Sequence, residues 1–342
     1  MNAKIIIPIA IVVIALGVFI AMGPEEDQAL PVNNVSTSEP VKLSINPFPG
    51  TDYAFIAKEK GFFEKNGVNV ELVLNPQYSK TIELMGDKQV DGAFEVLADA
   101  VAQNYFGLDL EIVYVTDQST FGDVIVSKYD DVNELKGKTI GVVGINSFSH
   151  IFLTDFLQNN GIDVFDVNYE NIDETNILDA LNSGKIVAGH TWEPTKSEVE
   201  KAGYVTIGKA GDSPGIITDI LVFHKDFAEN NPQKIQGIVN AIAEARLYLD
   251  SNRDESVAIM AEIEGLSLEE MALAVNDADR PLKNEQIELF DMQNKDSVYS
   301  LGDKIVQFYI NAGIIDEDSD YNVNQIFNPI YVSNIELRWR YL

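Results

Sequence analysis

Small polar residues crowd the point where an apolar stretch, residues 139–143, gives way to an amphipathic one: Asn146, Ser147, Ser149 and His150 flank Phe148. Where a strand hands over to a helix, the first backbone N–H groups of the helix have no partner within it. Such a terminus carries about half a positive charge and binds a carboxylate, sulfonate or phosphate without any basic side chain. The plainer alternative is that Asn146 or Ser147 is a simple N-cap. That accounts for one polar residue, but not for four in five.

Other residues able to contact a ligand fall at comparable places. Thr51, Asp52 and Tyr53 follow the apolar alternation of residues 41–45, Glu95 lies near the end of residues 90–96, Trp192 and Glu193 follow residues 186–190, and Asp219 precedes Ile220–Phe223. In open α/β sheets ligands bind beyond the carboxyl ends of the strands, so these positions are expected to face one cleft. Each has a structural alternative. Trp192 could fill a core rather than form a flat wall, and Glu193, just before Pro194, could merely favour a helix start. Glu95 sits in an apolar pattern and needs a partner. Phe48, Tyr53, Tyr78 and Phe148 could be walls or packing. Three acids (Glu95, Glu193, Asp219) with no lysine or arginine in these loops point to a ligand bearing an amine or several N–H donors. A bare inorganic anion would have no use for them; a zwitterion and a heterocyclic amine both would, and the residues do not choose between these two.

Composition removes much other chemistry. The 342 residues include 54 Asp+Glu against 24 Lys+Arg, a net charge of -30, which argues against nucleic acid as a partner. There is no cysteine and only three histidines, so disulfides, thiol nucleophiles and cysteine or histidine-rich metal centres are not expected. GxSxG, HExxH and P-loop motifs are absent, and GVVGIN falls short of a dinucleotide fingerprint. No catalytic residue, metal or cofactor is expected.

The elements that must position these residues are read from periodicity. Residues 5–22 form an uninterrupted apolar run after Lys4, long enough at about 1.5 Å per residue to cross a hydrocarbon core of about 30 Å. Residues 1–23 are therefore read as a membrane anchor or signal, which places the rest on the extracytoplasmic face, anchored by that helix or secreted if it is cleaved. Residues 24–40, rich in Pro, Ser, Asn and acids, read as a flexible linker. Beyond them strands and helices alternate, which predicts parallel pairing with right-handed crossovers. Residues 41–125 and 219–342 are read as lobe 1 and residues 126–218 as lobe 2, joined by two crossings. Residues 220–224 return to the first sheet, because the helical remainder needs a sheet to cover.

Several stretches carry a resemblance in the same order as a known group. DYAFIAKEKGFFEKNGVNVELV (residues 52–73), GDKQVDGAFEVLADAV, LKGKTIGV, HTWEPT and DILVFHKDFAENNP are similar to the nitrate, sulfonate, taurine and thiamine-pyrimidine group of ABC-transporter substrate-binding proteins. The resemblance covers most of residues 41–332. It implies an α/β, type II periplasmic-binding fold, two lobes on a hinge with a small-molecule ligand in the cleft, acting as a monomer that presents itself to an ABC permease. Asp219 sits where taurine-type relatives carry an acid. A membrane-tethered ligand sensor would use the same cleft without a transporter. The group also includes a yeast-type pyrimidine synthase with a cysteine-rich motif, which this chain lacks.

Overall fold

The computed structural model describes residues 39–338. The apolar N-terminal run and nearly all of the linker lie outside the described residues, so the anchor remains an expectation. Among the described residues no helix is long and apolar enough to cross a membrane.

The strands are β1 (Val41–Ile45), β2 (Val70–Leu74), β3 (Gly92–Val96), β4 (Leu110–Ser119), β5 (Val124–Ser127), β6 (Thr139–Val142), β7 (Asn168–Asn171), β8 (Ala188–Thr191), β9 (Val205–Lys209), β10 (Thr218–His224) and β11 (Ala278–Asp279). They form two sheets, ordered β11-β4-β10-β3-β1-β2 and β7-β6-β8-β5-β9. Each sheet with its covering helices forms one lobe. Pairing is parallel for β1 with β2 and β3, and for β6 with β7 and β8. It is antiparallel wherever β10, β5 or β11 takes part, so the sheets are mixed rather than parallel throughout. The reason is connectivity: β5 and β10 are the strands on which the chain enters and leaves the second lobe, and neither is reached by a covering helix.

As expected, β10 re-enters the first sheet, wedged between β3 and β4. All seven of its residues are buried, as a strand covered on both faces requires. Gly92 permits the close fit, since a Cβ there would lie 2.6 Å from the Val222 carbonyl oxygen and the Phe223 ring. The helix Pro232–Ser251 opens with proline in its first turn and buries Ile235, Ile238, Val239 and Ile242.

β5 lies wholly in the second sheet, so the first crossing runs through residues 120–123, ahead of the division expected at residue 125. The return crossing runs through residues 210–217, and the two are hydrogen-bonded side by side: Ser119 N to Ile217 O at 3.1 Å, Gly211 N to Thr120 O at 2.7 Å, Ala210 N to Asp123 O at 3.0 Å. The Asp277 carbonyl, just before β11, accepts from the amides of Thr120, Phe121 and Gly122. A paired hinge of this kind lets two lobes rotate while their connection stays ordered.

Candidate functional site

The carboxyl ends of β1, β3, β6 and β8 converge on the gap between the sheets. Because β10 runs antiparallel to β3, its amino end lies at the same edge, and Asp219 stands opposite Val96. There the chain lines a small, partly open cavity of about 20 Å³, walled by Phe48, Tyr78, Phe148 and Trp192 and bearing the polar groups of Asn46, Thr51, Asp123 and Asp219. That space admits about one water, and the two lobes touch around it, Tyr78 N donating to Glu174 Oε1 and Phe148 N to Asp99 Oδ1. Tyr78 of the first lobe meets Phe148 and Trp192 of the second edge-on, at 5.1 Å and 6.3 Å between ring centroids. Trp192 therefore fills a packed position and walls the cleft at once.

No lysine or arginine lines this cavity, and its charge is carboxylate. Burial foremost, and then the neighbouring Asp117 carboxylate, push Asp219 well above the usual carboxylate range. Asp117 is itself raised by burial and lowered by the guanidinium of Arg280. Arg280 is buried beneath the site, donating to the carbonyls of Gly50, Val275, Ala278 and, at 2.5 Å, Pro49. Oδ2 of Asp219 and Oδ1 of Asp117 have no hydrogen-bond partner among the described residues. Buried carboxyl oxygens left in this way carry a desolvation cost that a hydrogen-bond donor would relieve.

Asp123 is tied into the second lobe. His190 is fully buried, with Nε2 at 2.9 Å from Asp123 Oδ1 and Nδ1 at 2.8 Å from Ser149 Oγ. Asp123 is a carboxylate and can only accept, so the ring donates to it from Nε2; in the neutral ring Nδ1 then accepts from the Ser149 hydroxyl, whose oxygen accepts in turn from Val143 N. The trio has the composition of a hydrolytic triad in a different arrangement. The hydroxyl faces Nδ1, is bonded on both sides and is buried away from the cleft. Its geometry is that of a brace holding Asp123 at the cavity wall.

The strand tips place the expected residues unevenly. Thr51, Phe148, Trp192 and Asp219 line the cavity; Phe48 and Tyr78 join them as walls. Asp52 is buried near Glu264, away from the cavity; burial foremost raises Asp52 to about 7, and burial and the Asp52 charge raise Glu264 well above the ordinary range. The Tyr53 hydroxyl donates to Thr116 O at 3.0 Å in the first-lobe core. Glu95 accepts from Gln103 Nε2 at 2.9 Å, the partner an acid in an apolar strand requires. Glu193 accepts from the amide and hydroxyl of Ser197, the helix-start role of its structural alternative.

The amides at residues 145–149 are not free. Ile145 N donates to Asn171 Oδ1, Asn146 N to His150 Nδ1, Ser147 N to Gly144 O and Ser149 N to Ser147 Oγ. Asn146 is exposed in the left-handed region at φ 69°, which asparagine tolerates, and Ser147 is the N-cap of the helix Phe148–Asn159. Phe148 N donates at 2.9 Å to Asp99 Oδ1, a carboxylate of the other lobe. Expectation missed Asp99, Asp117 and Asp123. The last follows Gly122 at the first crossing, and only the topology brings it to the cleft.

Comparison with known proteins agrees with this architecture. The NMT1/THI5-like family model matches residues 52–256, more than half of the chain. Among sequence relatives, a binding protein of Brucella abortus is 23% identical over 246 residues, covering 68% of this chain and 74% of its own. The yeast Saccharomyces cerevisiae 4-amino-5-hydroxymethyl-2-methylpyrimidine phosphate synthase THI13 is 24% identical over 226 residues, covering 60% and 65%. Among solved structures, the ligand-binding component of an ABC-type import system from Staphylococcus aureus superposes with a TM-score of 0.74 at 15% identity, covering 87% of this chain and 99% of that one. The periplasmic aliphatic sulphonate-binding protein SsuA of Escherichia coli gives 0.66 at 19% identity, covering 83% and 96%. These likenesses show the periplasmic-binding-protein fold, and with the extent of the profile match they make this chain a member of the NMT1/THI5-like family.

Proposed function

We propose that the chain is the extracytoplasmic solute-binding component of an ABC importer, capturing a small nitrogen-containing solute between its two lobes. The observation that carries this reading is the composition of the cleft: three aromatic rings meeting across it, and Asp219 and Asp123 in a cavity without basic side chains. Flat apolar walls favour a planar or compact ligand, and carboxyl acceptors favour amine or ring N–H donors. Between the two ligand types left open by sequence, this geometry supports an aminopyrimidine-like solute over a sulfonate, whose charge would meet carboxylates. The S. aureus and E. coli proteins, which share the fold, are named as binding components, which supports the transport role. The cavity here has room for about one water, so the lobes part to admit such a solute; the ligand then favours a closure around itself by its greater affinity for that state, and that closed surface is what a membrane permease would read.

Catalysis has the yeast synthase in its favour. Against it, the Ser149 hydroxyl is buried and bonded on both sides, and the cysteines of the yeast-type motif have no counterpart in this sequence. A thermal-shift screen of aminopyrimidines, taurine, alkanesulfonates and nitrate tests the reading, because a ligand of the folded state raises apparent stability by mass action. Stabilisation by aminopyrimidines is expected; stabilisation by nitrate alone would overturn the assignment.

A further inference from the structure

Each lobe caps a cleft helix of the other. Phe148 N, opening the second-lobe helix Phe148–Asn159, donates to Asp99 Oδ1 at 2.9 Å; Tyr78 N, opening the first-lobe helix Tyr78–Gly86, donates to Glu174 Oε1 at 3.0 Å. Both acids are buried, at 6% and 3% exposure. Burial raises both to about 7, against the capping amides that favour their charged forms. The second oxygen of each makes no hydrogen bond of ordinary geometry, although the Tyr78 hydroxyl lies close enough to Asp99 to favour its charge. A helix N-terminus facing a cavity is a ready seat for a small oxyanion. Here the Phe148 seat, on a residue that itself walls the cavity, is held by a carboxylate of the chain.

We propose that Asp99 determines the specificity of the cleft by occupying, from the opposite lobe, the seat that a small oxyanion would otherwise take on the Phe148 amide. The inference rests on reading the cleft as the solute site. Nitrate, sulfate and sulfonate headgroups are then excluded from that helix end in the closed protein, both by occupation and by the charge beside it, while donors remain free to reach Asp219 and Asp123. No lysine or arginine of the cavity wall offers an anion a second seat.

The test titrates sodium sulfate and sodium nitrate, at ionic strength held constant with chloride, into the full-length protein and its Asp99→Ser and Asp99→Asn variants by calorimetry. Asp99→Ser opens the seat and removes the charge. Asp99→Asn removes the charge but keeps an oxygen to accept from Phe148 N. The expected result is an oxyanion affinity at least about tenfold above wild type in Asp99→Ser, the scale of one charge-assisted hydrogen bond, with Asn much closer to wild type. No gain in the serine variant, or an equal gain in both, overturns the proposal, the latter because charge alone would then decide. If Asp99→Ser lacks a cooperative melt, Asp99→Ala is read by the same criteria. A 4-aminopyrimidine titrated into the same preparations keeps the functional reading separate: wild type that ignores it while Asp99→Ser gains sulfate sinks that reading and leaves this one standing.

Discussion

Asp99→Asn should remove a measurable part of the protein's pH dependence. In the folded chain burial holds the Asp99 carboxyl at about 7, against an ordinary value of 3.8. Between those values the folded state keeps a proton that the unfolded chain releases, so stability falls as pH rises through this window and levels off above about 7. Between pH 5.5 and 7.5 roughly one and a half units lie inside it, which at about 1.4 kcal/mol per unit is about 2 kcal/mol lost toward the higher pH. Asparagine has no proton to release, yet its amide oxygen can still accept from Phe148 N. For a chain of this size about 1 kcal/mol moves the melting temperature by about 2 °C. Scanning calorimetry at the two pH values should therefore show wild type gaining about 4 °C more than Asp99→Asn on acidification. Glu174, also raised to about 7 by burial, contributes in the same direction and is retained in both proteins. An identical pH response in the two would refute the reasoning; His150 and His224, both lowered by burial, act in the opposite direction but are retained in both proteins.

Other expectations concern the frame and the cavity. Arg280→Met strands the carbonyls of Pro49, Gly50, Val275 and Ala278 and strips Asp117 of its countercharge, so urea unfolding should show a loss of about 3–5 kcal/mol. Gly92→Ala forces a methyl to 2.6 Å from the Val222 carbonyl oxygen and should cost about 1–3 kcal/mol in the same assay; a neutral result would mean that β3 and β10 yield more easily than their packing implies. Asp219→Leu removes an acceptor from the cavity and should weaken binding of an amine-bearing solute by about tenfold or more while relieving a buried acid; unchanged affinity would put the ligand elsewhere.

Alternation of strand and helix was legible because it depends on local apolar periodicity, and the return of β10 to the first sheet followed from the need of the C-terminal helices for something to cover. The antiparallel pairing of β5 and β10 was not, since direction is decided by where the crossings lie, a long-range property. At the site, Thr51, Phe148, Trp192 and Asp219 were legible because each lies at a strand tip that topology carries to one edge. Asn146 and Ser147 share such a tip but serve the turn itself, as a left-handed residue and an N-cap. Polar residue types alone do not separate those duties. The occupant of the Phe148 amide lies 49 residues away in sequence, and the His190–Asp123 brace spans 67, so neither could be seen from local spacing. Acids misled for a related reason: Glu95 and Glu193 found partners on their own lobes, whereas Asp99 and Asp123, unremarkable in sequence, reached the cleft.

The central claim is that the aromatic and carboxyl-lined gap between the lobes holds a small donor-bearing solute. Calorimetric titration of the full-length protein with a 4-aminopyrimidine, repeated on Asp219→Leu, tests it most directly. Saturable one-to-one binding in wild type that weakens by about tenfold or more in the variant is what the cleft geometry predicts. Equal binding by the two proteins, or binding of nitrate in preference to the pyrimidine, would contradict it.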